Sequence, residues 1–172
     1  ESVAAVAEAL AALARTGEVA MPSANRWLGV ARWQAARDAV AAAVTEYAGK
    51  HPARYGVMKG ELKSALKASV DGALFDAAFA QLVADGVIEQ KGERVRPANL
   101  PWEPPADVLA LLEKLERMLE AENYLVPENA TWGAALGAGA TEAASLGFFL
   151  GRLVRVNMDL TYTAGQMARR LG

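Results

Sequence analysis

Apolar side chains recur at three- and four-residue spacing in several stretches of the chain, and three of these stretches end at a glycine that two short apolar runs follow. Such spacing places apolar side chains on one face of an α-helix, whereas short apolar runs joined by a polar turn are typical of a β-hairpin. The sequence therefore predicts helices that lead into hairpins. The predicted helices cover residues 3–13, 33–50, 58–66, 71–85, 107–122, 129–136, 141–150 (with Thr141 as the cap) and 164–171.

The predicted hairpins share one pattern, in which a helix, a glycine, a strand, a polar turn and a second strand follow each other. Their strands cover residues 18–20 and 26–28, 87–89 and 94–96, and 153–156 and 160–163. The marker glycines Gly17, Gly86 and Gly151 are 69 and 65 residues apart, which is about the size of one small domain. This predicts a tandem repeat. Chance recurrence of a common helix-hairpin pattern is the alternative.

Helices followed by a hairpin form the winged-helix variant of the helix-turn-helix. The predicted fold class is therefore α+β, mostly helical, with tandem winged-helix units. The prolines from Pro97 to Pro105 mark the clearest boundary, because proline interrupts both helices and strand ladders. We expect rigid or hinged joints at residues 30–32 and 97–105. The predicted domains are the C-terminal part of one unit (1–30), two complete units (31–99 and 100–164) and the start of a linker helix (165–172).

Composition narrows the class of protein. The 172 residues have a formal net charge of −2 and no cysteine, which excludes disulfides and thiolate metal sites and argues against a general nucleic-acid binder. The sequence shows no secretory signal and no apolar run of membrane-spanning length. We expect a soluble, cytoplasmic, monomeric chain with no membrane partner, and, because it begins with Glu1, a fragment of a longer protein.

Catalytic and cofactor motifs are missing from the sequence. No phosphate-binding loop of the Walker type occurs, and the single histidine, His51, precedes a proline and is expected in a turn. Glu113 and Glu116 fall on the predicted outer face of an amphipathic helix, where a solvated role is expected for both carboxylates. We therefore predict that this chain is not an enzyme and holds neither a metal nor a cofactor.

Basic residues supply the candidate contacts to RNA phosphates. Lys59, Lys63 and Lys67 recur every four residues and so share one helix face, although such lysines are also common on solubilising surfaces. Residues 71–85 are predicted to form the helix that usually enters a nucleic-acid groove, but they contain three aspartates and no Lys or Arg. Residues 141–150 also contain no basic residue. The units thus look like spacers. The candidate phosphate contacts are Lys50, Arg54, Lys59, Lys63, Lys67, Arg94, Arg96, Arg152 and Arg155.

Four tryptophans suggest base-stacking platforms at first, because aromatic rings stack on bases in proteins that bind single strands. Trp27 ends a predicted wing strand, Trp33 begins a helix and Trp102 lies in the proline-rich stretch. These settings, together with Trp132, favour burial between adjacent units, where a large apolar side chain stabilises the joint.

Residues 51–66, HPARYGVMKGELKSAL, resemble the C-terminal region of the bacterial selenocysteine-specific elongation factor SelB. Residues 74–88 and 150–160 are similar to the helix-to-wing junctions of the same family. The resemblance covers most of the chain. The family usually has a proline before the position of Lys59 and a glutamate at the position of Gly60, so we expect the start of this helix to differ.

The resemblance implies a role in translation. In that family, GTP-binding domains precede a row of winged helices, and the last winged helix grips the messenger-RNA hairpin that recodes UGA. The chain would then be an arm between the GTPase body and that distal unit, with weak RNA or ribosome contacts of its own. GTP, selenocysteinyl-tRNA and the recoding hairpin would bind other domains of the parent. A winged-helix DNA-binding transcription regulator, which requires a basic recognition helix, is the alternative.

Overall fold

The structure is a computed structural model that describes residues 3–23, 26–122 and 125–171. These residues form a mostly helical α+β fold. The helices are α1 (Val3–Arg15), α2 (Val30–Lys50), α3 (Lys59–Leu66), α4 (Gly72–Ala84), α5 (Ala106–Ala121), α6 (Asn129–Leu136), α7 (Ala140–Phe149) and α8 (Ala164–Leu171). The strands are β1 (Val19–Ser23), β2 (Arg26–Gly29), β3 (Val57–Met58), β4 (Ile88–Lys91), β5 (Arg94–Pro97), β6 (Leu153–Arg155) and β7 (Thr161–Thr163).

The chain divides into two compact units. The first contains Glu1–Lys50 and Gly56–Pro101, and the second contains His51–Tyr55 and Trp102–Gly172. All eight predicted helices are confirmed, as are the three hairpins, although Ala24 and Asn25 of the first predicted turn lie outside the described residues. In the described part of the chain, no helix has the length and apolar character needed to cross a membrane. The predicted boundaries at residues 30/31, 99/100 and 164/165 stay predictions.

The core of the first unit lies between α2, α4 and a three-stranded sheet. Helix α2 contributes Ala36, Val40 and Val44, which are the apolar positions that the sequence predicts. Helix α4 buries the predicted residues Leu74, Phe75, Ala78, Phe79 and Leu82. Val83, which we predicted on the same face, is instead 37% exposed. A helix buries a stripe and not its whole circumference, so a run of adjacent apolar residues extends past the buried face.

The wing of the first unit has one more strand than the sequence predicts. Besides the hairpin of β4 and β5, β3 pairs antiparallel with β5, so that the sheet order is β3-β5-β4. Met58 is extended, with φ −69° and ψ 133°, and α3 therefore begins at Lys59 and not at Met58. A strand of two residues is too short to show an alternating pattern, which is why the sequence does not reveal it.

The first helix differs from its prediction in burial. The spacing of Val3, Val6, Leu10 and Leu13 predicts one packed face, but α1 has no buried residue among those described. Val3 is 86% exposed and Val6 is 49% exposed. Periodicity thus places α1 correctly as an amphipathic helix, while on its apolar face Leu10 is half-buried and Val3, Val6 and Leu13 are exposed.

The same backbone junction joins a helix to a hairpin three times. Gly17, Gly86 and Gly151 follow α1, α4 and α7 with φ of 77°, 68° and 69°, a conformation that favours glycine. In each case the next amide donates back into the last helical turn, as in a Schellman motif. These bonds are Glu18 N to Leu13 O (3.0 Å), Val87 N to Leu82 O (2.9 Å) and Arg152 N to Gly147 O (2.9 Å).

Each hairpin is closed by a second shared hydrogen bond. The first residue after the second strand donates its amide to the carbonyl of the residue after the marker glycine. The pairs are Val30 with Glu18 (3.0 Å), Ala98 with Val87 (3.0 Å) and Ala164 with Arg152 (2.8 Å). The repeat that the glycine spacing predicts is therefore present as a repeated hydrogen-bond pattern.

The core of the second unit lies between α5, α6, α7 and the hairpin of β6 and β7. Helix α5 buries Val108, Leu112, Leu115 and Leu119, as its apolar spacing predicts. Helix α7 begins differently from the prediction. The residue before it is Gly139, with φ 94°, and Thr141 lies inside the helix and makes no cap. A side chain at position 139 would come within 2.9 Å of the Leu111 side chain, so the glycine permits close packing on α5.

Helix α8 is fixed to α5 by the buried polar side chain of Gln166. Thr163 and Gln166 form a capping box, because the Thr163 amide donates to Gln166 Oε1 (2.9 Å) and the Gln166 amide donates to Thr163 Oγ1 (3.1 Å). Gln166 is 1% exposed, and its Nε2 donates to the Leu119 carbonyl at 2.6 Å. The start of α8 is thus held to the last turn of α5.

We expect Gly56→Ala to destabilise the first unit strongly. A Cβ at position 56 would lie 2.1 Å from the Val95 carbonyl oxygen, so strand β5 would have to shift. Overpacking of this kind costs about 1–3 kcal/mol or more. Gly60→Ala is the matched control, because nothing lies within 4 Å and alanine stabilises a helix by up to about 1 kcal/mol. Urea unfolding followed by circular dichroism compares the midpoints, and equal midpoints would contradict the packing.

Candidate nucleic-acid interface

Two lysines of the predicted stripe, Lys59 and Lys63, lie on α3 and point towards α4. Lys59 Nζ lies 4.4 Å from the centre of the Phe79 ring, and Lys63 Nζ lies 2.6 Å from Asp76 Oδ2. Lys67 is exposed beyond the end of the helix. Lys59 and Lys63 of the predicted stripe therefore contact α4, although the Lys63 side chain is still 41% exposed, and Lys67 faces solvent.

The aspartates of α4 are paired with groups of the same unit. Asp71 caps the helix by accepting from the Leu74 amide at 3.0 Å. Asp85 accepts from Arg37 of α2 at 2.5 Å. With Asp76 bound to Lys63, each carboxylate that the sequence presents as repulsive to phosphate is used inside the unit. Exposed pairs of this kind each stabilise by only about 0–1 kcal/mol, so their main effect is to set the charge of the surface.

The outer face of α4 offers little to a nucleic acid. It consists of Ala73, Asp76, Ala77, Ala80, Gln81 and Ala84, of which Ala77 is half-buried and the others are exposed. Base edges are read by side chains that donate or accept hydrogen bonds, and phosphates are bound mainly by cations and donors. This face has no cation. Its donor, Gln81 Nε2, is bonded to Asp85 Oδ1 at 2.7 Å, and its carboxylate, Asp76, is bonded to Lys63. The face is therefore poorly suited to reading base sequence.

Lys50 and Arg54 are also engaged. Lys50 Nζ donates to Glu46 Oε1 at 2.5 Å, and this bond lowers the pKa of Glu46. Arg54 belongs to the second unit and lies 3.5 Å from Glu142 Oε1. Both cations therefore have a carboxylate partner.

The wing arginines of the first unit lie along its sheet. Arg94 donates to the Gly56 carbonyl at 3.1 Å. Arg96 donates to Glu89 Oε1 on the neighbouring strand at 2.7 Å and is only 8% exposed. Their N–H groups serve the wing, so a phosphate would have to displace protein partners.

The wing arginines of the second unit differ from each other. Arg152 makes a two-pronged contact with Glu116, including Nε to Oε1 at 2.8 Å, and these bonds raise the pKa of Arg152. The solvated role predicted for Glu116 is therefore wrong. Arg155 instead lies over the Phe148 ring, with its guanidinium carbon 4.8 Å from the ring centre. Within the described residues it has no carboxylate partner.

A cavity of about 440 Å³ opens beside Arg155, between α6, α7 and β6. Its lining holds one formally charged side chain, Arg155. The lining residues are Asn129, Ala130, Trp132, Gly133, Gly137, Ala140, Thr141, Ala144, Ser145, Phe148 and Arg155. The sequence names Arg155 as a candidate phosphate contact, but it does not reveal the cavity, because the cavity depends on how α6, α7 and β6 pack. The available signal was the spacing of Thr141, Ser145 and Phe148, which places two hydroxyls and a ring on one face of α7.

The tryptophans are not exposed stacking platforms. Trp33 packs against the core of the first unit. In the second unit, Trp132 is buried and donates to Asn129 Oδ1, while Trp102 donates to the Pro52 carbonyl and lies edge-on to Tyr55. Their burial between adjacent units stays a prediction.

Metal binding has no support in residues 3–23, 26–122 and 125–171. No three side chains of the types His, Cys, Asp and Glu come together there as a metal ion would require. His51 lies directly after α2, where its carbonyl accepts from the Arg54 amide at 3.0 Å in a turn.

One comparison with known proteins identifies part of this architecture. Residues 41–96 match the family model described as "Elongation factor SelB, winged helix". The matched segment runs from within α2 to β5, and so includes the helix-turn-helix and the wing of the first unit. No match to the chain was found among curated proteins.

Stability of the second unit should decrease on acidification through Glu120. Thr163 Oγ1 donates to this carboxylate and Arg169 lies 2.5 Å from it, and these contacts lower the pKa of Glu120 below its ordinary value of 4.5. A lowered pKa in the folded state stabilises above the unfolded-state pKa, and this stability is lost as the pH falls through the folded-state pKa. Glu120→Gln should therefore lower the melting temperature near pH 7, and the difference should shrink below about pH 4.

The control for this prediction is Glu103→Gln. Glu103 is an exposed carboxylate of the second unit with no hydrogen-bond or ion-pair partner in the described part of the chain. Its melting profile from pH 3 to pH 7 should follow the wild type. A pH-independent difference for Glu120→Gln would show that the carboxylate charge does not matter.

Proposed function

We propose that this chain, whose residues 41–96 form a winged helix of the SelB elongation-factor family, is a winged-helix arm of a translation factor for selenocysteine incorporation. The arm links a GTPase body to a distal unit that binds the messenger-RNA hairpin. Its own contacts with RNA or the ribosome are weak and independent of base sequence. GTP, selenocysteinyl-tRNA and the hairpin are partners of other domains of the parent protein.

The outer face of α4 is the observation that carries this proposal. In a winged helix this is the helix that usually enters a nucleic-acid groove. Here it presents alanines, Asp76 and a Gln81 that is bonded to Asp85, and no cation, while the neighbouring lysines Lys59 and Lys63 are turned onto α4 itself. A winged helix whose outer helix is poorly suited to reading bases can still serve as a rigid module of fixed length.

The joint expected at residues 30–32 supports the role of an arm. Strand β2 ends at Gly29 and α2 begins at Val30, so no loop separates them. The Val30 amide is bound to the Glu18 carbonyl, which fixes the direction in which α2 leaves the hairpin. This favours the rigid alternative for that joint. The joint at residues 97–105 is part of the proposal on the strength of its prolines.

A DNA-binding transcription regulator fits these surfaces poorly. It requires a recognition helix with cations for the phosphates and donors or acceptors for base edges. Helix α4 has no Lys or Arg, and helix α7 has none either. The regulator therefore serves as the alternative outcome of the binding test.

We expect the chain to bind nucleic acids weakly and without sequence preference. Fluorescence anisotropy at 100 mM KCl should give dissociation constants of about 10⁻⁴–10⁻⁶ M for unrelated RNA hairpins and DNA duplexes, as for non-specific binding. A regulator would prefer its own site by roughly 10³-fold or more. Such a preference for any duplex would contradict the proposal.

A gain-of-charge variant provides the control. Ala73→Lys combined with Ala80→Lys adds two cations to the exposed face of α4 and leaves the core unchanged. Affinity for every duplex should then rise and depend more steeply on salt, because two more phosphates would be neutralised. An unchanged affinity would mean that charge is not what α4 lacks.

A further inference from the structure

We propose that the cavity between α6, α7 and β6 binds a phosphate group of an RNA strand. In this site Arg155 is the cation, and the hydroxyls of Thr141 and Ser145 are hydrogen-bonding groups. The choice of RNA rests on the proposed function, which places the chain in a translation factor. The site moves the weak RNA contact of the arm from the α3 lysines to the second unit.

Electrostatics single out this cavity. Its lining contains Arg155 and no carboxylate. Two other cavities have acidic linings, one with Glu46 and Glu61 beside Lys50, and one with Glu116 and Glu120 beside Arg152. A phosphate is attracted by a surplus of positive charge and repelled by carboxylates. Among these three linings, only the one that contains Arg155 has such a surplus.

Arg155 has N–H donors available for an anion. Its guanidinium carbon lies 4.8 Å from the centre of the Phe148 ring, a distance typical of a cation-π contact. Arg155 makes no hydrogen bond or ion pair to another described residue, so its N–H groups remain for an acceptor. Arg94, Arg96 and Arg152 instead spend N–H groups on protein oxygens. Arg155 is thus the wing arginine of this set that suits a two-pronged phosphate contact.

Hydroxyl groups complete the site. Thr141 and Ser145 are four residues apart on α7, which places them on the face that lines the cavity. Neither hydroxyl makes a hydrogen bond to any other described residue. Each can donate to a phosphate oxygen or accept from a ribose 2′-hydroxyl, which is the group that separates RNA from DNA.

The cavity is held open by the fold. Asn129, at the start of α6, donates its amide to the Asp159 carbonyl at 2.7 Å and its Nδ2 to the Met158 carbonyl at 3.0 Å. These bonds tie α6 to the turn between β6 and β7. Arg155 lies on β6, the strand that leads into this turn. Asn129 also accepts from the Trp132 indole at 3.1 Å on the cavity wall. The walls are therefore fixed before any ligand arrives, which lowers the ordering cost of binding.

Arg155→Gln tests the proposal in the full chain, with Arg117→Gln as the matched control. Both arginines are exposed in the second unit, and both variants remove one positive charge, but Arg117 is on α5 and does not line the cavity. For a fluorescent single-stranded RNA at 50 mM KCl, Arg155→Gln should weaken binding roughly tenfold and reduce the salt slope by about one. Arg117→Gln should weaken it by less than about twofold. Equal losses in the two variants would overturn the site.

Further arms identify the ligand. Ser145→Glu places a carboxylate in the cavity and should weaken binding at least as much as Arg155→Gln, with unchanged circular dichroism. Inorganic phosphate should displace the RNA only at far higher concentration, and DNA of the same sequence should bind more weakly. Equal binding of DNA, or displacement by phosphate at the RNA concentration, would overturn the assignment to an RNA strand.

The outcomes separate this proposal from the role of an arm. Weak, sequence-independent binding that Arg155→Gln leaves unchanged would reject the cavity and leave the arm intact. Tight binding to one particular sequence would reject the arm. Loss of that tight binding in Arg155→Gln would then still support the cavity as a contact.

Discussion

The fold depends on a left-handed glycine that reverses the chain after a helix. At Gly17, Gly86 and Gly151 the backbone has a positive φ, and the next amide returns to the last helical turn. This fixes the angle between helix and first strand, and the bond from the end of the second strand then fixes where the chain leaves. Because both constraints belong to the backbone, quite different side chains can surround the same junction. Phe79 packs α4 of the first unit, whereas Ala144 packs α7 of the second.

Charge in this molecule is mostly used to hold helices and strands together. Lys63 with Asp76, Arg37 with Asp85 and Arg152 with Glu116 each join two different elements of one unit. Most of the cations that the sequence suggests as phosphate contacts are therefore already bonded to protein groups when a nucleic acid approaches. Lys59 and Arg155 each lie over a ring instead, and Arg155 differs from Lys59 in that it lines a cavity.

Most of the fold could be predicted from the sequence, since helices such as α2 and α5 repeat their apolar residues over many turns. Strand β3 could not, because a strand of two residues shows no alternating pattern. The start of α7 could not either, because the folded structure decides whether Gly139 or Thr141 precedes the helix. For the site, the sequence lists the cations but not their partners. Whether Lys59 faces a phosphate or the Phe79 ring depends on how α3 packs against α4. The exposure of α1 likewise depends on what covers it.

The loop-free passages from wing to helix also have a mechanical consequence. Strand β2 continues into α2, and β7 continues into α8, and in each case the first helical amide is bonded to the start of the hairpin. A force applied along the chain at either passage would load backbone hydrogen bonds directly, because there is no slack to take up first. The backbone hydrogen bonds at each passage would thus bear the tension at once. At the second passage, the bond from the buried Gln166 side chain to the Leu119 carbonyl would share the load.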